Sequence, residues 1–411
     1  MVKTAGNQLS WLTLGGLGVA ALSLKVGCAP IPQDDSKEDS AWEDEEVIRV
    51  VSSVLRGVGP EVVLPSLEQF GRELDSLADA IDAWETAFES GADTAQVHAD
   101  TKEAWTTAMM AWQEHEIMQI GPAGSSLTAV AGRDLRDEVY SWPSINPCRI
   151  DQEVVATGWT QSGWFEDNFA NSYGLDALEH ILHGGDENVC PSQVDINATG
   201  SWNALGPDGV EANRIAYARA LVTHLEDVND FLYEKWSPEE GDFSGALALT
   251  TRSSPYATDR QAMNAVFDAL FYLETVTKDR KLAQPLGLVE CSLDICPDAA
   301  EHLESGISVM AVAANLRGFR QLFTGGEGIG FDDLLVELGH ADLSDSIMEK
   351  TDNAISVAEA TALPIHEGVT TDLESIVALH AAVKEVTDLL KGDLVTVLSL
   401  QIPAEASGDN D

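Results

Sequence analysis

The chain has 411 residues and a formal net charge of −46, with 69 acidic and 23 basic side chains. This charge argues against nucleic acid or an anionic membrane surface as a partner, because both would repel the protein; it fits high solubility, attraction of cations or a saline environment. The length predicts two or three domains, or two halves of one large helical body, and 44% hydrophobic residues are ample for a core.

Residues 1–28 are typical of a secretory signal peptide. A basic residue precedes an apolar, glycine-rich run over residues 9–24, which is too short for a lasting transmembrane span. The segment ends at Cys28 in a pattern that resembles the bacterial lipobox, although Lys25 stands where that pattern has an apolar residue. Ala29 is typical of outer-membrane sorting. We therefore expect a lipoprotein whose lipid anchor at Cys28 holds it on the outer membrane, facing the periplasm.

The mature chain is predicted to be a tether followed by two helical halves. Residues 29–46 are acidic and contain prolines, which is typical of disorder. Helical periodicity then dominates and alternating β patterns are few, so the predicted fold class is all-α. Residues 47–240 and residues 241–404 each contain enough long helices for a bundle, and residues 405–411 form a polar tail.

The predicted helices follow from apolar residues recurring at helical spacing and from the breaks at Gly and Pro. In chain order they are residues 47–55, 63–89, 94–120, 135–140, 151–156, 173–184, 211–236, 259–278, 299–322, 331–363 with a break near residue 340, and 371–398.

Apart from Cys28, the chain has four cysteines, an even number that predicts two disulfides in an exported protein. Cys291 and Cys296 are close neighbours in one predicted loop and are expected to pair, which leaves Cys148 for Cys190. A zinc site is the alternative, although the chain has no Cys-x-x-Cys pair.

Glu116 is an unusual residue in the third predicted helix. Trp105, Met109 and Trp112 form an apolar stripe at i, i+4 and i+7, and Glu116 at i+11 continues it. A carboxylate on a row that faces the core needs a partner. The alternative is that the stripe reaches solvent near the end of this helix.

The segment 173–184 carries the strongest candidate for a functional site. On a helix at ~100° per residue, its apolar residues share one side. Its polar residues fall within an arc of roughly 100° on the other side, and they are Asp176, Glu179, His180 and His183. Such a group of carboxylates and imidazoles can bind a metal or move protons. It can also be the solvated face of an amphipathic helix, and spacing alone leaves both interpretations open.

Other chemistries find little support. The chain has no Gly-x-Ser-x-Gly motif, and no cysteine is expected to remain free, so nucleophilic catalysis is not predicted. The glycine-rich residues 325–330 follow a helix and lack a lysine, which favours a flexible loop over a phosphate cradle. His115, His224 and His302 are lone histidines to which the sequence assigns no function.

The segment 173–184 resembles the signature of the imelysin family of exported bacterial proteins. The family pattern is Gly-x-His-x-x-Glu before an apolar run, and this chain has Gly174-Leu175-Asp176-Ala177-Leu178-Glu179, with Asp176 in place of the histidine. Further matching blocks occur in order along residues 47–403. They are residues 64–65, 112–122, 148–151, 281–287 and 315–319.

The resemblance implies two packed helical bundles with a site between them near the signature segment. It also implies a classification among metallopeptidases and an association with bacterial iron uptake. Under this resemblance, Asp176 and Glu179 are expected to bind iron or another divalent cation through oxygen, with Glu116 arriving from another helix. Glu179 with His183 is an equally good ligand pair, and His180 lies alongside.

The favoured hypothesis is a cell-envelope lipoprotein that binds a ligand, iron or another divalent cation, between its two bundles. Its role would be in iron acquisition, and its partners would be the iron-uptake machinery of the envelope. The alternative is a metal-dependent peptidase that uses Glu179 as base or ligand. The loss of the signature histidine weakens the peptidase alternative, because a zincin site needs paired histidines and a glutamate. A scaffold whose site has decayed is a third hypothesis.

Overall fold

A computed structural model describes residues 42–403 and Ala406. Every regular element in this part of the chain is helical, which confirms the all-α prediction. The predicted signal peptide with Cys28, the tether up to residue 41 and nearly all of the tail lie outside the described residues. Within residues 42–403, no helix combines the length and the apolar character needed to cross a bilayer.

The α-helices are numbered here in chain order. Up to residue 240 they are α1 (Glu45–Gly57), α2 (Leu64–Glu89), α3 (Ala95–His115), α4 (Leu135–Val139), α5 (Pro147–Ala156), α6 (Trp164–Asp167), α7 (Leu175–His183), α8 (Asp195–Ala198) and α9 (Ser201–Trp236). Beyond it they are α10 (Phe243–Leu247), α11 (Asp259–Leu270), α12 (Ser308–Thr324), α13 (Phe331–Glu337), α14 (Ala341–Ala360), α15 (Ile365–Thr371), α16 (Leu373–Leu389) and α17 (Val395–Leu398). Three π-helical segments cover Val58–Val63, Leu273–Ala283 and Leu390–Leu394.

Two groups of long helices form the body. In the first group α2 packs against α3 and α9, and in the second α14 packs against α12 and α16. The apolar face predicted for α2 is buried, including Leu67, Leu74 and Trp84. The N-terminal helix α1 lies against α11 and α13. The division of the chain at residues 240 and 241 stays a prediction.

The two groups meet where α3 packs on α12. A Cβ at Gly318 of α12 would lie 2.0 Å from the carbonyl oxygen of Glu114, so only glycine permits this approach of the two backbones. On α3, Trp105 and Trp112 are fully buried. Truncating either ring to alanine would cost about 3–5 kcal/mol. This close contact between α3 and α12 brings polar residues of the two groups near one another.

Helix α7 runs through the interior of the first group. It contacts α3, α5 and α9, and its residues 175–182 are all buried. The surface-helix interpretation of this segment is therefore wrong. Gly174 precedes the helix at φ 97° and ψ −172°, a conformation open essentially to glycine alone, and an added Cβ would lie 2.7 Å from the carbonyl oxygen of Val139.

Two predictions about connections have different outcomes. The disulfides Cys148–Cys190 and Cys291–Cys296 are both present, with S–S distances of 2.02 and 2.04 Å, as predicted. The helix predicted from residue 299 instead begins at Ser308. Residues 300–307, called here the 300–307 loop, are non-helical, and two of them, His302 and Ser305, bond to Glu179 on α7.

Candidate functional site

Glu179 on α7 is held by the 300–307 loop. Its Oε2 lies 2.7 Å from Nδ1 of His302, and its Oε1 accepts hydrogen bonds from the backbone N–H (3.0 Å) and hydroxyl (2.7 Å) of Ser305. Burial raises the pKa of Glu179, but the charge and hydrogen bond of His302, with the bonds from Ser305, outweigh it and lower the pKa to about 2. Glu179 is therefore ionised, and both of its oxygens are occupied.

His302 is a key partner that the sequence did not reveal. It is fully buried, and its backbone is left-handed, with φ 55°. This conformation costs a residue other than glycine roughly 1–2 kcal/mol. Burial lowers the pKa of His302, but the neighbouring charges of Glu179 and Glu301 raise it above its ordinary value. The sequence assigned no function to His302, but in the fold it is buried and is the partner of Glu179.

His180 makes a second connection from α7. Its Nε2 lies 3.1 Å from Oδ1 of Asp151 on α5, and its Nδ1 lies 2.8 Å from Oε1 of Glu304 in the 300–307 loop. Burial lowers the pKa of His180, but hydrogen bonds and charge from the two carboxylates raise it to about 9. The residue is 3% exposed, so it is a buried cation and not a surface histidine.

Glu116 lies immediately after α3 and is fully buried, so the solvent-exposed alternative is wrong. Its Oε1 accepts from Nε of Arg136 at 2.8 Å, and its Oε2 lies 3.4 Å from Nζ of Lys281. Burial raises the pKa of Glu116, while the charges of Lys281 and Arg136 lower it further than burial raises it. The partner that a carboxylate on the apolar stripe needs is thus a pair of cations, Arg136 and Lys281.

Lys281 connects Glu116 to the loop that holds Glu179. Its Nζ lies 2.9 Å from Oε1 of Glu301 and 2.6 Å from Oε1 of Gln113. The hydroxyl of Tyr140 donates to the same Glu301 oxygen at 2.7 Å. Glu301 is followed in the chain by His302, whose Nε2 is 3.8 Å away. We call the following set the buried network: Glu116, Arg136, Lys281, Glu301, His302 and Glu179.

Asp176 and His183 lie outside the buried network. Asp176 Oδ2 accepts from the backbone N–H (3.0 Å) and hydroxyl (2.7 Å) of Ser141, and burial raises its pKa to about 7. His183 is half-buried against the ring of Trp105, with centroids 5.0 Å apart. Burial, together with the charge of Lys102, lowers the pKa of His183 to about 4.

The five predicted metal ligands do not converge. Across residues 42–403, no three His, Cys, Asp or Glu side chains form a group that could hold a metal ion. Glu116 and Glu179 belong to one network, but Lys281, Glu301 and His302 lie between them. A cation bound by Glu179 would compete with His302 and Ser305, which already bond to both of its oxygens. The metal role of these residues stays a prediction.

A cleft lies beside the buried network. Its volume is about 860 Å³, and its walls come from residues 119–142, residues 255–280 and the C-terminal residues 401–403. Arg136, which also binds Glu116, lines the cleft, so the cleft and the network share a side chain. None of the five predicted metal ligands is among its lining residues.

The sequence carried partial signals for the residues it missed. Lys281 and Asn315 stand in two of the blocks that match the family, and both prove to be buried and bonded to Gln113. Glu301, by contrast, fell inside a predicted helix, where nothing distinguished it from a surface acid.

The fold and the site define an all-helical protein whose two helix groups are joined by a buried polar network beside an open cleft. A sequence model described as "Peptidase_M75: Imelysin" matches residues 71–392, and the chain belongs to the imelysin family. No curated protein sequence matches it.

Two solved structures are similar in fold. An imelysin-like protein from Psychrobacter arcticum 273-4 has a TM-score of 0.66 and 16% sequence identity, covering 86% of this chain and 97% of that one. A "putative iron-regulated protein A precursor" from Parabacteroides distasonis ATCC 8503 has a TM-score of 0.61 and 16% identity, covering 84% of this chain and 94% of that one. At such identities the similarity establishes the fold alone.

Proposed function

We propose that this chain is a cell-envelope protein that binds an iron-containing ligand in the cleft and serves iron acquisition. The observation that carries the proposal is the cleft itself: about 860 Å³ is a typical volume for a small-molecule site, and its walls come from both predicted halves of the chain. One structural neighbour is described as iron-regulated, which supports the choice of cargo.

The proposed location is the outer membrane, facing the periplasm, with a lipid anchor at Cys28. Two disulfides support an oxidising compartment. The proposed partners are the iron-uptake components of the same envelope, to which the bound ligand would pass.

In this proposal the buried network supports the walls of the cleft, and of its members only Arg136 is among the described lining residues. Arg136 and Tyr272 line the cleft. Behind this wall Lys281 Nζ lies 5.9 Å from the Tyr272 ring centroid and bonds to Glu301 of the 300–307 loop. Glu179 holds that loop through His302 and Ser305. The residues of α7 thus act on the cleft indirectly, as positioning residues.

The test is equilibrium dialysis with radioactive iron, offered both as a free salt and as a soluble chelate. Thr275 is half-buried and lines the cleft, and its hydroxyl donates to the backbone carbonyl oxygen of Phe271 one turn earlier, so Thr275→Trp places an indole ring in the cleft without removing a distant contact. Thr106 on α3 has the same burial and the same type of hydroxyl bond outside the cleft, so Thr106→Trp is the matched control.

We expect wild type and Thr106→Trp to bind iron in at least one form, and Thr275→Trp to bind it at least about tenfold more weakly, because a bulky ring occupies the site. Absence of iron binding by the wild-type protein in both forms would contradict the proposal. Equal binding by all three proteins would contradict the location.

The peptidase alternative gains no support from Glu179. A general base works best with a pKa near the working pH, whereas the ion pair with His302 lowers the pKa of Glu179 to about 2. Both oxygens are also occupied by donors of the 300–307 loop.

A further inference from the structure

We infer that the cleft takes its ligand as an anion, so that iron enters it as a negatively charged, carboxylate-bearing chelate and not as a free cation. This inference rests on the proposed function, since it names the class of ligand for the same cleft. It is carried by the hydrogen-bond donors and the charge of the described lining residues.

The lining of the cleft is much less acidic than the chain as a whole. Among the lining residues that the structure describes, the basic side chains are Arg136 and Arg280, and the acidic one is Asp268. The chain as a whole has 69 acidic and 23 basic side chains. Because acidic side chains do not dominate this lining as they do the rest of the chain, an anion is repelled less in the cleft than elsewhere on the surface, and a cationic side chain there can hold it.

Arg280 is available to bind such an anion. It is exposed at the cleft, and within residues 42–403 no ion pair or hydrogen bond of its guanidinium group is found. Arg136 is already engaged, because it donates to Glu116, to Asp137 and to the carbonyl oxygen of Trp142. A guanidinium group presents paired donors that match the two oxygens of a carboxylate.

Two amide groups on α11 add neutral donors to the same cleft. The Gln261 Oε1 atom accepts from the backbone N–H of Ala257 at 2.8 Å, and Asn264 Oδ1 accepts from the backbone N–H of Gln401 at 3.1 Å. These bonds use the amide oxygens, so the NH₂ groups remain as donors. At i and i+3 the two side chains share one face of the helix.

A free hard cation does not fit this lining. Such ions take six or more oxygen ligands, usually with several carboxylates, and the described lining offers one carboxylate, Asp268, beside an unpaired guanidinium. The cleft volume of about 860 Å³ suits a ligand of many atoms. Aromatic side chains such as Tyr256 and Tyr272 supply apolar walls for the carbon skeleton of a chelator.

The experiment measures binding affinity by isothermal titration calorimetry of the full mature chain with three probes: ferric citrate, citrate alone and a ferrous salt without chelator. The variants are Arg280→Glu, which reverses the free charge, and Asn264→Asp, which keeps the oxygen that accepts from Gln401 but replaces the NH₂ donor with a repelling oxygen. Arg56 is exposed on α1 and outside the cleft, so Arg56→Glu is the control of equal charge change.

We expect ferric citrate to bind wild type and Arg56→Glu equally, and to bind Arg280→Glu and Asn264→Asp at least about tenfold more weakly, with an affinity that falls as salt rises. Unchanged affinity in Arg280→Glu and Asn264→Asp would overturn the inference.

The three probes separate this inference from the proposed function. Binding of citrate with and without iron at equal affinity would support the anion site and contradict the iron cargo. Binding of the ferrous salt, with no binding of ferric citrate or citrate, would support the iron cargo and overturn the anion site.

Discussion

Glu179 and His302 lie 123 positions apart in the chain and form a buried ion pair, with Oε2 2.7 Å from Nδ1. The pair joins α7 to the 300–307 loop, and through Glu301 this loop reaches Lys281 and Glu116. The signature glutamate is thus one end of a network that connects the two helix groups.

Glu179→Ala should destabilise the protein by about 3–5 kcal/mol, because it leaves His302 buried without its counter-ion. Urea denaturation measures the change in the free energy of unfolding. Glu103 on α3 is exposed, so Glu103→Ala should change that free energy by no more than about 0.5 kcal/mol. A loss below about 1 kcal/mol for Glu179→Ala would show that the pair contributes little.

Lys281 and Glu301 should be energetically coupled, since Nζ and Oε1 lie 2.9 Å apart and both side chains are fully buried. We expect Lys281→Met and Glu301→Gln each to destabilise the protein, and the double variant to lose less than the sum of the single losses by about 0.5–3 kcal/mol. A double-mutant cycle in urea measures this coupling. Additive losses would mean that the two residues act independently.

Asp176 should make stability fall as pH rises from about 4 to 7. Burial raises its pKa in the folded protein to about 7, from an ordinary value of 3.8. The unfolded chain therefore releases this proton first, and over that window stability falls by at most about 1.4 kcal/mol per pH unit.

Asp176→Asn removes this titration and imitates the protonated acid. Relative to wild type, the variant should gain stability between pH 4 and pH 8, as followed by urea unfolding across that range. Asp79 is exposed on α2, so the free energy of unfolding of Asp79→Asn should change with pH in the same way as that of wild type. A constant difference between Asp176→Asn and wild type would contradict the raised pKa.

Gly174→Ala should destabilise the protein by more than about 1 kcal/mol, because φ is 97° and the new Cβ would lie 2.7 Å from the Val139 carbonyl oxygen. Gly392 has open space around it, so Gly392→Ala should be neutral or slightly stabilising. Thermal unfolding of both variants tests the comparison. Equal melting temperatures would mean that the backbone before α7 relaxes freely.

Much of the fold could be predicted from the sequence because helical periodicity is a local property. The apolar face of α2, the disulfides and the position of α7 along the chain all follow from spacing. The apolar stripe that ends at Glu116 correctly predicted that this carboxylate has a partner, which proved to be Arg136 with Lys281.

The site could be predicted only in part because its partners are distant in sequence. Spacing grouped Asp176 with Glu179, but the folded chain directs them to Ser141 and to the 300–307 loop respectively. His302 lacked any local pattern, and its segment resembled a helix start. In the folded chain His302 has a left-handed backbone and pairs with α7, a contact made over more than one hundred positions.

The position of bound iron in a crystal distinguishes the cleft from α7 as the binding site. Crystals of the protein soaked in ferric citrate, measured at the iron absorption edge, would locate the metal by anomalous scattering. We predict an iron peak inside the cleft, near Arg280 and the α11 amides. An iron peak at Glu179 and Asp176, with His302 displaced, would contradict it.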